Sequence, residues 1–374
     1  MKNPLLKNLV NILSICFILL WGTTSCSTDD TDQSNLKAFF SFQPEEVLVG
    51  KTVNFINESS GVDEKTEYVW DFGDGNSTTN KNASHIYEEI GEGIYEVTLK
   101  VKSSNTEVAV KKELIISLSN SINDRKTLTE KLSDDKIMTC AHRANHITTP
   151  ENSLSGIIDA IDKNIDMVEI DIRETKDGQL VLMHDKTINR TTNGSGNVSS
   201  YSLQELQGFK LYNTNGVLTD EKIPSLKEVL LLARGKIYID LDISKKAKFN
   251  KVYPVVKQYG MLHQVLFYSS NRNVINTIIS KETTLLPMPI IRNESDFNKY
   301  KNLDLKVVHY TNDSFNQNLV NKAKEKGWKI FMNVYINSNT TPTDDNYFQV
   351  NRVKTLEGNI IQTDFPVLVK RYIN

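Results

Sequence analysis

The sequence predicts two domains, a small antiparallel β-sandwich followed by an α/β barrel of the (β/α)8, or TIM, type. Three observations predict it. At 374 residues the chain is longer than one ordinary compact domain. From Ala38 to about Leu118 it reads as short strands with turns between them: FFSFQP, KTVNFINES, EYVWDFGDG, GIYEVTLKVKS and EVAVKKELIIS. From residue 137 onward, about eight apolar strand-like runs are mostly separated by helix-like ones such as SLSGIIDAIDKN, SLKEVLLLA and FNQNLVNKAKEKG. That alternation is the pattern of parallel strands joined by crossover helices. From pattern alone, a doubly wound sheet is the alternative for the second domain.

The first 26 residues read as a leader. Lys2 and Lys7 flank the start, Leu9 to Trp21 is almost wholly apolar, and Gly22-Thr23-Thr24-Ser25-Cys26 follows. The apolar run is shorter than the ~20 residues of a membrane span. Small residues ending in cysteine resemble the lipobox of bacterial lipoproteins. That resemblance implies a diacylated Cys26 at the mature N-terminus. The expected location is then the bacterial outer membrane, on its periplasmic face or at the cell surface, held by a lipid anchor. Cys16 and Cys26 lie in the leader, so Cys140 is the one thiol of the folded part and no intramolecular disulfide is expected. Cys140 reads as a small buried residue.

Lysine and arginine number 44 against 46 acids, a formal net charge of −2. No clustered basic run stands out, so nucleic acid is not an expected partner.

Residues 27–36 are polar and acidic and read as a flexible tether. In residues 37–118, Trp70 and Phe72 alternate on a strand, and Gly73 and Gly75 permit the turn after it. WDFGDG, followed by His85-Ile86-Tyr87 and the run Gly93 to Leu99, resembles a PKD domain. The resemblance implies a spacer or adhesive module without catalysis, contacting a protein or a polysaccharide. Residues 119–136 are polar and charged, and read as a linker with helical character.

In a barrel, catalytic groups gather at the C-terminal ends of strands. In residues 137–374 those ends carry His142-Arg143 after strand one, Glu169 and Asp171 in strand two, His184-Asp185 after strand three, and Asp240 and Asp242 in strand four. Glu169, Asp171 and Asp240 suit a hard divalent cation, Ca²⁺ or Mg²⁺. Histidine is the side-chain type whose charge changes near neutral pH, which suits His142 and His184 to general acid–base work. Arg143 offers a planar fork for phosphate. Together they read as metal-assisted cleavage of a phosphate ester.

Several ordered motifs then carry a resemblance. They are His142-Arg143-Ala144, Pro150-Glu151-Asn152-Ser153, Glu169-Ile170-Asp171, Thr175-Lys176-Asp177-Gly178, His184-Asp185, Arg190 to Gly196, and Thr363-Asp364-Phe365-Pro366. They resemble the glycerophosphodiester phosphodiesterases over about residues 137–374. The resemblance implies a phospholipase C-like barrel that cleaves glycerophosphodiesters to glycerol 3-phosphate and an alcohol. It implies His142 and His184 as the acid–base pair, in an order it leaves open, and Arg143 as a phosphate contact. Glu169 and Asp171 match metal ligands, and the third ligand, a glutamate in the family, falls on Asp240. In the family the substrate's neighbouring hydroxyl is the implied nucleophile.

Three departures bear on substrate. Asp242 stands where the family has a phosphate-facing lysine, with Lys245 or Lys246 as compensating cations or a more acidic metal site as the other outcome. Ala144 replaces a glycine. No tryptophan lies within Met332 to Tyr335, which leaves Phe331 or Tyr335 for that surface. Glu151 is expected to shape the first loop near the metal, and Arg190 to order the loop after His184. His85, His146 and His309 are read as structural. Two alternatives stay open: phospholipase D-like action on lysophospholipids or sphingolipids, and a surface binding protein on a barrel without catalysis.

Overall fold

The computed structural model describes residues 36–91, 93–118, 126–134, 136–243, 247–334 and 344–373. Cys26, the leader, nearly all of the tether, Lys245, Lys246 and Tyr335 lie outside them.

Alternation along Thr52–Asn57 and Glu67–Asp71 buries every second residue, so these strands pack one face inward. A three-stranded sheet (Phe40–Gln43, Thr52–Asn57, Ala83–Ile86) faces a five-stranded one led by Ile94–Ser103 and Thr106–Ser117. All pairings are antiparallel except the two-residue edge Val47–Leu48, which runs parallel to Ile116 and Ser117. Phe40, Phe55, Trp70 and Phe72 fill the space between, with Phe40 edge-on to Trp70 at 5.1 Å between centroids. Gly73 has φ +79°, and a Cβ there would come within 2.8 Å of the Glu96 carbonyl oxygen, so the turn after Phe72 requires glycine.

The second domain is a closed barrel of eight parallel strands. They are Met138–Ala141, Met167–Glu174, Tyr238–Asp242, Val265–Ser269, Leu286–Ile291, Val307–Tyr310, Lys329–Asn333 and Ile360–Thr363, with the first pairing both the second and the last. This decides for the (β/α)8 barrel over the doubly wound sheet. One assignment changes. The run LVLMHD, expected as the third barrel strand, gives the strand Leu180–Leu182, which pairs antiparallel with Met167–Glu174 outside the ring. The reason is local: a tight Thr175–Gly178 turn can join only antiparallel neighbours, whereas parallel ones need a crossover. Asp240 and Asp242 therefore sit on barrel strand three.

Inward side chains fill the interior, among them Met138, Cys140, Met167, Tyr238, Met288 and Phe331. Leu128 and Leu132 belong to the same cluster. Their helix, Leu128–Leu132, carries a capping box of Thr127 and Glu130, and the Tyr238 hydroxyl donates to the Lys126 carbonyl at 2.7 Å. This part of the expected linker is thus the floor of the barrel. The sandwich docks on the helix Phe249–Gln258, where the Gln258 side chain donates to the carbonyls of Gly93 (2.6 Å) and Ile116 (3.0 Å).

Candidate active site

The side chains of Met138 and Cys140 alternate into the barrel, and His142 continues that face at the mouth. Its Nδ1 lies 2.7 Å from Asp364 Oδ1, just past the last barrel strand. Its Nε2 lies 4.0 Å from Glu169 Oε2. With Nδ1 tied to a carboxylate, Nε2 is the nitrogen on the side of Glu169 and the cavity. Burial pushes the Asp364 carboxyl up, but the hydrogen bond to His142 and the charges of His142, His146 and Arg143 outweigh it, and the group titrates below its ordinary range. His146, read as structural, lies 3.6 Å from Asp364 through Nε2 and binds the His142 carbonyl through Nδ1 at 2.8 Å. It supports the carboxylate that supports His142.

Arg143 and Ala144 turn the chain through the left-handed region, at φ +50° and +64°. This accounts for the glycine that the family places after His-Arg. Here the alanine methyl is accommodated because Gly156 opposes it. The turn aims the Arg143 backbone N–H at Glu169 Oε2, 2.9 Å away, which pins that carboxylate. Asp171 is held by Asn152, whose Nδ2 donates to Oδ2 at 2.9 Å while its Oδ1 accepts from the Asp171 backbone at 3.0 Å. Ser153 caps the following helix by accepting from the Gly156 N–H.

His184 follows the antiparallel strand, and its Nδ1 meets Asp185 Oδ1 at 2.7 Å. Asp185 also accepts from Arg190 Nε at 2.7 Å, and Arg190 forks onto both oxygens of Glu151 at 2.7 Å each. Glu151 in turn receives Arg143 Nη1 at 3.3 Å. A continuous path thus joins Arg143, Glu151, Arg190, Asp185 and His184. Burial raises the Asp185 carboxyl, but its bonds to Arg190 and His184 win and hold it down to about 2.

These groups border a cavity of about 340 Å³ at the mouth. His142, Arg143, Glu169, Asp171, His184, Asp240 and Asp242 all line it. Tyr268, His309, Asn333 and Gln362 complete the lining, none of them singled out by sequence for this role. Burial, then the charge of Arg292, hold the His309 imidazole down to about 4, so it is neutral near pH 7. Its ring lies between Tyr268 (5.4 Å) and Phe331 (5.3 Å). Phe331, expected as a mouth surface, belongs to the interior beneath, and Tyr268 and His309 present the rings instead.

Glu169, Asp171 and Asp242 offer carboxylate oxygens that all lie within 4.8 Å of one another. Asp240, expected as the third ligand, lies outside that set. The strand register pairs Glu169 with Asp240 and Asp171 with Asp242, which sets Asp240 one tier below the mouth. Glutamate is one methylene longer than aspartate, so Glu169 reaches the upper tier and Asp240 does not. Burial, then Asp171, Asp242 and Asp240, push the Glu169 carboxyl well up. Burial, then Asp242 and Asp171, do the same to Asp240. Asp240 Oδ1 is buried with no hydrogen-bond partner. Crowded hard oxygens with an unmet acceptor fit a hard divalent cation. Cys140 is fully buried and its thiol is pushed up by burial, then by Asp240, Glu169 and Asp166, which suits an inert core residue.

The model of the glycerophosphoryl diester phosphodiesterase family matches residues 142–367, and that of the PKD domain matches residues 40–115. A glycerophosphodiester phosphodiesterase of Caldanaerobacter subterraneus is 32% identical over 146 residues, which is 36% of this chain and 59% of the relative. One of Bacillus altitudinis is 34% identical over 122 residues, 32% of this chain and 48% of the relative. The chain spans about half the length of the curated relatives it matches. Among solved structures, a glycerophosphoryl diester phosphodiesterase from Parabacteroides distasonis has a TM-score of 0.58 at 23% identity, over 66% of this chain and 91% of that one. An Oleispira antarctica phosphodiesterase, solved with the product sn-glycerol-3-phosphate, has a TM-score of 0.53 at 19% identity, over 65% and 98%. At such identities the likeness shows the fold.

Proposed function

The chain belongs to the glycerophosphoryl diester phosphodiesterase family, and on that premise we propose that it is a metal-dependent hydrolase of glycerophosphodiesters, releasing glycerol 3-phosphate and an alcohol. One observation carries this reading. Two histidines, each with Nδ1 bound to a carboxylate at 2.7 Å, line one cavity together with Arg143 and the acidic cluster. The product bound to the Oleispira antarctica relative supports the substrate class.

Glu169, Asp171 and a third carboxylate from the neighbouring strand would hold the cation. Bound there, a divalent ion supplies a Lewis acid that stabilises charge on the phosphoryl oxygens. The chain's own residues do the rest. Arg143 binds the diester's anionic oxygens. One histidine takes the proton of the substrate's neighbouring hydroxyl through Nε2 as its oxygen bonds to phosphorus. The other gives its Nε2 proton to the leaving alcohol as the old P–O bond breaks, and in a second displacement water gives up a proton and opens the resulting cyclic phosphate to glycerol 3-phosphate. Asp364 and Asp185 fix the tautomers and stabilise each imidazolium in turn.

The test is release of glycerol 3-phosphate from a panel of glycerophosphodiesters with Ca²⁺ or Mg²⁺, and with EDTA. Turnover should need the metal and should fall by at least ~10²-fold in His142→Ala and His184→Ala. Turnover indifferent to His184→Ala would sink the reading. Lysophospholipids in the same panel separate it from a phospholipase D-like activity.

The leader motif supports export with a lipid anchor at Cys26 and residence in the bacterial outer membrane, and the sandwich would then serve as a spacer contacting protein or polysaccharide. Cys26→Ser should move the protein from the membrane to the soluble fraction. Unchanged partitioning would count against the anchor.

A further inference from the structure

Resting on the metal-dependent reading, we infer that Asp242, rather than Asp240, completes the cation's shell, and that Asp242 is a metal ligand and not a substrate contact. The backbone register sets Asp171 and Asp242 side by side on adjacent parallel strands. Adjacent strands lie about 4.8 Å apart, so two aspartates of equal length on one face bring their carboxylates together. Glu169 joins them from one tier below because its chain is longer. The three residues then offer oxygens within 4.8 Å of one another. An ion that binds oxygens at about 2.3–2.6 Å spans such a set.

Like charges so close need a cation between them. Arg143 is the one Lys or Arg among the described residues lining the cavity, and its Nε stands 3.8 Å from Asp171 while its Nη1 is engaged by Glu151. An independent sign lies beneath. Asp240 is 2% exposed, lines the same cavity, and leaves Oδ1 without a hydrogen-bond partner. A buried carboxylate oxygen is rarely left unmet, so the floor beneath the three ligands adds negative potential to the site without entering the ion's shell. With Asp242 committed to the ion, recognition of the diester anion falls to Arg143 among the described lining residues.

The test is calorimetric titration of Ca²⁺ and of Mg²⁺ into the full chain stripped with EDTA. It compares wild type with Asp171→Asn, Asp240→Asn and Asp242→Asn, and melting is followed with and without ion. Wild type should bind one ion. Asp171→Asn and Asp242→Asn should weaken binding tenfold or more, and Asp240→Asn less than threefold. In EDTA, Asp242→Asn should melt no lower than wild type, because one crowded charge is gone, while gaining less from Ca²⁺. A misfolded variant would melt lower in both conditions. Wild-type affinity in Asp242→Asn with weakened binding in Asp240→Asn overturns the inference. So does an Asp242→Asn that keeps its metal affinity and loses only affinity for the diester. No divalent binding by wild type is a different failure, that of the metal-dependent reading itself.

Discussion

His142 Nδ1 and Asp364 Oδ1 lie 2.7 Å apart although 222 residues separate them in the chain. Closure of the barrel brings them together, since the strand Ile360–Thr363 pairs with Met138–Ala141. Asp364 fixes which nitrogen of His142 faces the cavity. Asp364→Asn should therefore lower kcat about 10²-fold with KM little changed. A kcat within threefold of wild type would show that His142 needs no such partner.

Arg190 joins the two halves of the site through Glu151 and Asp185, yet its side chain is 49% exposed. Exposed pairs contribute about 0–1 kcal/mol to stability. Arg190→Ala should thus leave the melting temperature nearly unchanged while kcat falls about tenfold, as Asp185 and His184 lose their orientation. Arg190→Lys should restore little, since a point charge cannot fork onto Glu151 and also reach Asp185. Full activity in Arg190→Ala would reduce the path to a surface ornament.

Much of this site was legible because it lies on strand ends. Period-two alternation placed Glu169 and Asp171 on one face, and the wide spacing of strands and helices implied the ring. Three things escaped that reasoning. Strand count alone could not tell that Leu180–Leu182 is a hairpin partner, although the Lys176-Asp177-Gly178 turn carried the signal. The wall of Tyr268, His309, Asn333 and Gln362 comes from four separate strands, and nothing local marks a strand residue as facing the mouth. That Asp242 and not Asp240 falls in the close carboxylate set depends on side-chain length and strand register together, and register is not written in one strand. In the leader and tether, by contrast, the sequence remains the source of the reading.

His309 makes stability depend on pH in a defined window. Its folded value is lowered from 6.5 to about 4, so between those values the unfolded chain binds the proton more readily. Stability is full above pH 6.5 and is lost as pH falls toward 4. At about 1.4 kcal/mol per unit the full effect is ~3 kcal/mol. The raised carboxyls of Glu169 and Asp240 act in the opposite sense, so the comparison is with His309→Gln, which keeps them. Denaturant melts at pH 7.5 and 4.5 should show wild type losing more than the variant. Equal losses would show that His309 titrates as it does in the unfolded chain.

Gln258 ends the helix that leads back from the mouth toward strand four at Val265, so the sandwich is attached at the end of the barrel away from the chemistry. Its side chain supplies donors to two sandwich carbonyls, and its own carbonyl accepts from the Leu118 N–H at 2.7 Å. Gln258→Ala removes both donors where the domains meet, although the Gly93 carbonyl still accepts from the Ile116 N–H. It should lower stability by about 1–3 kcal/mol and speed proteolytic separation of the two domains. Gly93 has φ +77°, and a Cβ there would collide with Gln258 Nε2. Gly93→Ala alone should be as damaging, through backbone strain and that collision together. Alanine at both positions removes the collision but keeps the strain. The double variant should accordingly be less destabilised than the two single effects added, with a coupling of roughly 0.5–3 kcal/mol. Because the contact is remote from His142 and His184, kcat should stay at the wild-type value in all three. Strict additivity would mean that the two residues do not meet in solution, and a fall in kcat would mean that the sandwich influences the mouth.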